Sequence, residues 1–134
     1  MNPTATYYFS NAAASISYAA GGYIRLDWQP TPATATELRA IYEHVLRAML
    51  HHGASRLMTL HNNRPPMPQE LQSWLATQWI PRAIQEVGYS HCAIVEASNP
   101  LSRLAARAVG SSLHLPLAYG YFDSPQAAEA WLLR

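Results

Sequence analysis

Two short stretches, residues 56–60 (Arg-Leu-Met-Thr-Leu) and residues 92–95 (Cys-Ala-Ile-Val), show no alternation of apolar and polar side chains. A strand with one solvated face alternates, because successive side chains point to opposite sides; a strand without alternation has both faces covered. Between the two lie a polar loop opened by His61-Asn62-Asn63-Arg64 and a long helical stretch, residues 68–87, that carries Trp74 and Trp79. The unit from Arg56 to Glu96 therefore predicts strand, helix and strand in a parallel sheet, with its loops at one rim.

The flanking segments extend this pattern. Ile16 and Tyr18 alternate with Ser15 and Ser17, and Ile24, Leu26 and Trp28 alternate with Tyr23, Arg25 and Asp27. With Gly21-Gly22 between them, they predict a hairpin with one apolar face. Tyr7, Tyr8 and Phe9 add an edge strand or cover one end of the core. Leu38, Ile41, Tyr42, Val45, Leu46, Met49 and Leu50 recur at helical spacing and predict one apolar stripe. Thr34 or Thr36 caps that helix, Glu37 suits its positive end, and His51-His52-Gly53 suits its exit.

In the second helix Leu71, Trp74, Leu75 and Trp79 share one face, while Ile80, Ala83, Ile84 and Val87 point nearly the opposite way. Pro81 has no N–H and its ring clashes one turn back, which predicts a kink or break near residues 78–80 that lets both stripes bury and bends the first half over the rim. Asn99-Pro100 and Ser124-Pro125 each read as a cap followed by a first helical residue. The first starts a helix with Leu101, Leu104, Ala105, Ala108 and Val109 inward; residues 117–122 form a third parallel strand; the second starts a helix ending at Trp131-Leu132. The expected order is β-β-α-β-α-β-α-β-α, a single α/β domain over residues 1–134 whose mixed, mostly parallel sheet carries helices on both faces, with only the hairpin antiparallel.

Composition removes several function classes. The one cysteine, Cys92, excludes an internal disulfide, no apolar leader precedes Tyr7, and the apolar runs fall short of the ~20 residues that cross a bilayer. A cytoplasmic protein without membrane insertion is expected. The net charge is +1 and all nine basic residues are arginines spread along the chain, so no footprint for nucleic acid is expected. Nucleotide-binding, nucleophile-elbow and zinc-protease motifs are absent, and neither a cofactor nor a metal is expected. His44 and His51, about 10 Å apart along a helix axis, sit opposite the apolar stripe and read as a polar face. His91 and Cys92 point to opposite sides of a strand, so the thiol reads as structural and not as a nucleophile.

Trp74 to Arg82 (Trp-Leu-Ala-Thr-Gln-Trp-Ile-Pro-Arg), Gly88, Ala93-Ile94-Val95 and the closing Tyr121-Phe122-Asp123-Ser124 before Ala128 and Trp131-Leu132 resemble the bacterial STAS/SEC14-like (SpoIIAA-like) proteins. The resemblance runs from about Ile16 to Leu132 and implies a SpoIIAA-like α/β fold. STAS domains regulate anti-sigma factors through a phosphorylatable serine at the start of the helix after the third strand. Here residues 61–70 contain no Ser or Thr, the nearest hydroxyls being Thr59 and Ser73, so no phosphorylation site is expected.

Ligands of open α/β sheets sit beyond the carboxyl ends of the strands. His61, Asn62, Asn63, Arg64, Glu96, Ser98, Asn99, Asp123 and Ser124 fall there, and Trp74 and Trp79 would line an apolar pocket beside them if the helix leaves a gap. The leading expectation is a non-catalytic regulatory or scaffolding domain that binds a protein partner or its own copy through exposed aromatic or sheet-edge surface. A carrier or sensor of a small apolar, lipid-like ligand under the kinked helix is the first alternative. An enzyme using His61, Glu96 and Asp123 is the second, and it requires those three side chains to converge.

Overall fold

The computed structural model describes residues 5–134, with side chains from Tyr8 onward, so the side chain of Tyr7 lies outside the described residues. Six strands form one sheet in chain order: β1 (Ala5–Ser10), β2 (Ala14–Ala19), β3 (Tyr23–Trp28), β4 (Arg56–Leu60), β5 (His91–Val95) and β6 (Ala118–Phe122). β1 to β3 are an antiparallel meander and β3 to β6 run parallel. The α/β class and the mixed sheet match the sequence reading. The N-terminal aromatic segment takes the edge-strand option, which adds an element to the expected order and a second antiparallel pair beyond the hairpin.

The helices are α1 (Ala35–His52), α2 (Gln69–Trp74) continuing through a π-helical turn (Leu75–Trp79) into α3 (Ile80–Val87), α4 (Pro100–Ser111) and α5 (Pro125–Leu132). From β3 onward each crossover advances one strand in the same direction, so connections of one hand bring their helices to one face. α1 to α4 accordingly share a core with Ile16, Ile24, Leu26, Trp28, Leu57 and Ile94. α5 alone covers the other face, where Ala128 and Leu132 meet Met58, Leu60, Ala93 and Val95. Both faces of β4 and β5 are thus buried, the physical reason for their missing alternation. On that second face β2 and β3 show Ser15, Ser17 and an Arg25–Asp27 pair at 2.9 Å, all half-buried.

The caps follow the sequence. Thr34 and Glu37 make a reciprocal capping box on α1, and Gly53 ends the helix in the left-handed region at φ 63°. Leu38, Ile41, Tyr42, Val45, Leu46 and Met49 are buried, but Leu50 is exposed at the far margin of the stripe. Of the two histidines expected on a polar face, His51 is exposed but His44 is half-buried and stacks on Phe9 at 3.7 Å between ring centroids; His52, at the helix end, stacks on Tyr18 at 4.1 Å.

Two helix expectations are corrected. Where a kink or break is expected near residues 78–80, the helix is irregular but unbroken, and its stripes do not part. Ile80 donates to the Leu75 carbonyl, an i to i+5 bond, so the turn before the proline holds one extra residue. One residue is about 100° of helical phase, enough to bring Ile80 and Ala83 back to the side of Leu71, Leu75 and Trp79, and all five are buried in the same core. In α4 the buried residues are Ser102, Ala105, Ala106, Val109 and Gly110, while Leu101, Leu104 and Ala108 face outward. The small residues win because the tyrosines of β6 stand against the helix: a Cβ on Gly110 would come within 2.5 Å of the Tyr121 hydroxyl. Only the smallest face of α4 allows that approach.

Candidate functional site

The rim begins where the ladders end. The His61 N–H donates to the Val95 carbonyl and the Glu96 N–H to the Phe122 carbonyl, so both loops leave the sheet already held. Residues 61–64 close as a turn, with the Arg64 N–H on the His61 carbonyl at 3.0 Å. Asn62 takes the left-handed conformation at φ 49°, which asparagine tolerates better than most residues, and its side-chain amide donates to the Trp28 carbonyl at 2.9 Å. Asn62 is therefore a strut between the ends of β4 and β3. The Ser98 hydroxyl donates to the Asn63 side-chain oxygen at 3.5 Å, a long contact that crosses to the neighbouring loop.

His61 points inward and is 5 % exposed. Burial, reinforced by the positive charge of Arg64 and partly offset by Glu96, pushes its imidazole down to about 3, so the ring stays neutral at ordinary pH. Glu96 is held by Arg107 through two bonds of 2.9 Å and by Arg103 at 3.2 Å. The Arg107 bonds draw its carboxyl below the usual range against the opposing effect of burial. Asp123 is exposed. Among the described residues no hydrogen bond or ion pair joins His61, Glu96 and Asp123, and the convergence that an acid-base role requires is not formed. Asn99 spends its side chain on the Leu101 and Ser102 N–H groups, and Ser124 on that of Ala127. The first N–H groups of α4 and α5 are thus occupied by their own caps.

Under the π turn, between sheet and helices, is a cavity of about 70 Å³, lined by Trp79, Tyr42, Tyr89, Cys92 and His61 among mostly aliphatic neighbours. Trp79 also donates its indole N–H to the Tyr42 carbonyl at 2.8 Å. Trp74, expected beside it, is not part of that lining: it lies half-buried against Tyr42, with the Arg39 guanidinium 5.5 Å above its ring. Cys92 is a free, buried thiol raised to about 11, chiefly by burial. His91 faces the other way and packs on Trp131 at 5.6 Å. Among the described residues no cluster of three or more His, Cys, Asp or Glu is placed to hold a metal, and no helix is long and apolar enough to cross a membrane.

Arg64 is the rim residue whose surroundings were least legible. It is 4 % exposed, its guanidinium lies over the Trp28 ring at 3.6 Å, and its carbonyl accepts from the buried Ser102 hydroxyl at 2.9 Å. Its neighbour Tyr42 has a phenol raised by burial and partly lowered again by the arginine. Arg64 forms part of the wall of a groove of about 170 Å³ between residues 28–33 and 64–68, with Ala13 and Leu38 completing it. Only the proline run after Arg64 hinted at this in the sequence, since a stiff segment can hold an arginine against a ring contributed by a strand far away in the chain.

A second feature lies at the end of the sheet. The Ala118 N–H donates to the Ser90 carbonyl and the Phe122 carbonyl accepts from the Glu96 N–H. In a parallel ladder alternate residues serve the same neighbour, so Tyr119 and Tyr121 turn their main-chain groups away from β5, toward the open edge. Comparison with protein-family models, with curated proteins and with solved structures finds no match for this chain.

Proposed function

We propose that this domain works by binding, as a regulatory or scaffolding module of the STAS/SEC14-like kind, and that its partner surface is the open edge β6, paired with a second copy of the same chain. One observation carries this reading: β6 (Ala-Tyr-Gly-Tyr-Phe) is a terminal strand with no charge and no proline. Sheet edges that stay solitary normally carry such protection. At the opposite edge the β1–β2 register is interrupted between Tyr7 and Phe9, whereas β6 pairs with β5 in continuous register.

The pattern of free groups favours self-pairing. Two antiparallel β6 strands related by a two-fold axis at Gly120 bring Tyr119 of one opposite Tyr121 of the other, and these are the residues whose N–H and C=O groups face outward. The tyrosines also share a sheet face, so aromatic rings meet across the junction. The resulting sheet has twelve strands, twice the six of one chain.

Light scattering coupled to size exclusion, at micromolar concentration, tests this. The wild-type protein is expected to be a dimer. Tyr119→Pro removes an outward N–H without touching the β5 ladder and is expected to be monomeric, while Tyr119→Ala, which loses the ring but keeps the donor, still dimerises. A monomeric wild type, or a dimer indifferent to the proline, refutes the edge assignment.

The alternative of a small apolar ligand under the π turn is favoured by the cavity, but its size sets the class. About 70 Å³ is less than half the ~150 Å³ that admits benzene. A group of a few atoms fits there and an acyl chain does not. Native mass spectrometry of freshly purified protein is the test: a bound lipid mass would overturn this limit.

A further inference from the structure

The groove at Arg64 is independent of the β6 edge, since no residue of that strand contributes to its lining. We infer that it is a binding site for a small apolar carboxylate about the size of benzoate.

Arg64 is 4 % exposed, its Nη1 has no hydrogen-bond partner among the described residues, and no described carboxylate lies within ion-pair distance of it. An arginine this deep ordinarily has a counter-ion, because a guanidinium taken out of water without one is costly. The chain offers none. Of its eight acidic side chains, Asp27 serves Arg25, Glu43 and Glu86 serve Arg82, Glu70 serves Arg39, Glu96 serves Arg103 and Arg107, Glu37 caps α1, Glu129 accepts from Tyr23, and Asp123 is exposed. The missing charge is one that a bound molecule can supply.

The surroundings narrow its class. Stacking over Trp28 at 3.6 Å occupies one face of the guanidinium, the Tyr42 phenol stands beside its edge, and the unpartnered Nη1 on that edge is left for a planar acceptor. A carboxylate matches that fork with two parallel hydrogen bonds. The remaining wall is largely apolar, including Pro32, Leu38, Pro65 and Pro68, with Gln29 and Thr31 as its polar side chains. Such a wall has little to offer the third and fourth oxygens of a phosphate, and it suits a hydrocarbon tail. The volume, about 170 Å³, is close to the ~150 Å³ that holds a benzene ring.

The test follows the indole N–H signals of ¹⁵N-labelled protein during titration with sodium benzoate, benzamide or sodium phosphate at constant ionic strength. Four tryptophans give four signals, and Trp28→Phe assigns the one that reports on the groove. Benzoate is expected to shift the Trp28 signal saturably while that of Trp131, on the opposite face of the sheet, stays in place. Benzamide, equal in shape but uncharged, and phosphate, charged but without a tail, are expected to leave the Trp28 signal unmoved. Arg64→Met keeps a flexible stem over the ring without the charge, and should weaken benzoate by roughly tenfold or more, the worth of one charge-assisted pair. No saturable shift with benzoate, an equal response to benzamide or phosphate, or unchanged binding by Arg64→Met overturns the assignment. Should Arg64→Met fail to fold, the wild-type contrast between benzoate and benzamide decides alone. The monomeric Tyr119→Pro protein should bind benzoate as the wild type does, so failure of the edge proposal and failure of this one are read separately.

Discussion

Acid should destabilise this protein at a pH where its carboxylates are still ionised, and His61 is the reason. The ring is 5 % exposed and its folded-state value is lowered to about 3 by burial first and Arg64 second, against an ordinary histidine near 6.5. The unfolded chain therefore binds a proton that the folded chain refuses. Stability from this group is fully present above the unfolded value, declines as pH falls below 6.5, and goes on declining toward the folded value. For a one-proton site with these two values, the loss between pH 7.5 and pH 5.0 is about 2 kcal/mol. Lowered values at His44 and His52 act in the same direction. Replacing His61 isolates its share. Urea unfolding of wild type and His61→Gln across that range should give a wild-type curve steeper by about 2 kcal/mol in total, whatever the variant's absolute stability. Superimposable slopes would mean that His61 is protonated in the folded protein, and the claim that this corner of the rim is closed to water would be wrong.

Two further changes test the packing. Deleting Gln78, an exposed residue of the π turn, shortens that turn to an ordinary helical one and keeps both buried stripes in phase, but it returns Pro81 to a regular helix interior, at a cost of about 3 kcal/mol. Combined with Pro81→Ala the deletion should recover most of that loss in thermal melts, and equal stability of the two variants would contradict the role given to the π turn. Glu96→Gln removes the carboxylate that accepts three guanidinium N–H bonds. It should cost about 1 kcal/mol, since both arginines are half in solvent. The effect should vanish as pH falls through the lowered carboxyl value, because the wild-type contribution is present above the ordinary carboxylate range and is lost with acid; a difference that persists at low pH would place the loss in packing.

Where local rules govern, the sequence was a sufficient guide. Thr34, Asn99 and Ser124 cap the helices that the sequence assigns to them, and Gly53 and Gly88 close theirs with positive φ. Each of these rests on a side chain meeting its own main chain within a few residues. The missing alternation in β4 and β5 likewise announced two covered faces. The candidate site was harder to read. Its rim residues were correctly assigned to strand ends, but most of them are struts, caps or ion-pair members: Asn62 ties β4 to β3, Asn99 and Ser124 cap, and Glu96 belongs to Arg103 and Arg107. Which of those roles a polar residue takes depends on partners from other elements.

The sequence by itself determined the element types, the caps and the parallel unit between Arg56 and Glu96, because propensity, capping and hydrophobic period act over a few residues. Tertiary packing decided the rest. It gave α4 its small face instead of its leucines, because Tyr119 and Tyr121 must pass beside Gly110. It answered Pro81 with a π turn, because both halves of one helix had to meet one core. It also set Arg64 on Trp28, 36 residues earlier in the chain, and left that charge without a carboxylate of its own. Such outcomes follow from distances between surfaces that come together only when the sheet has formed.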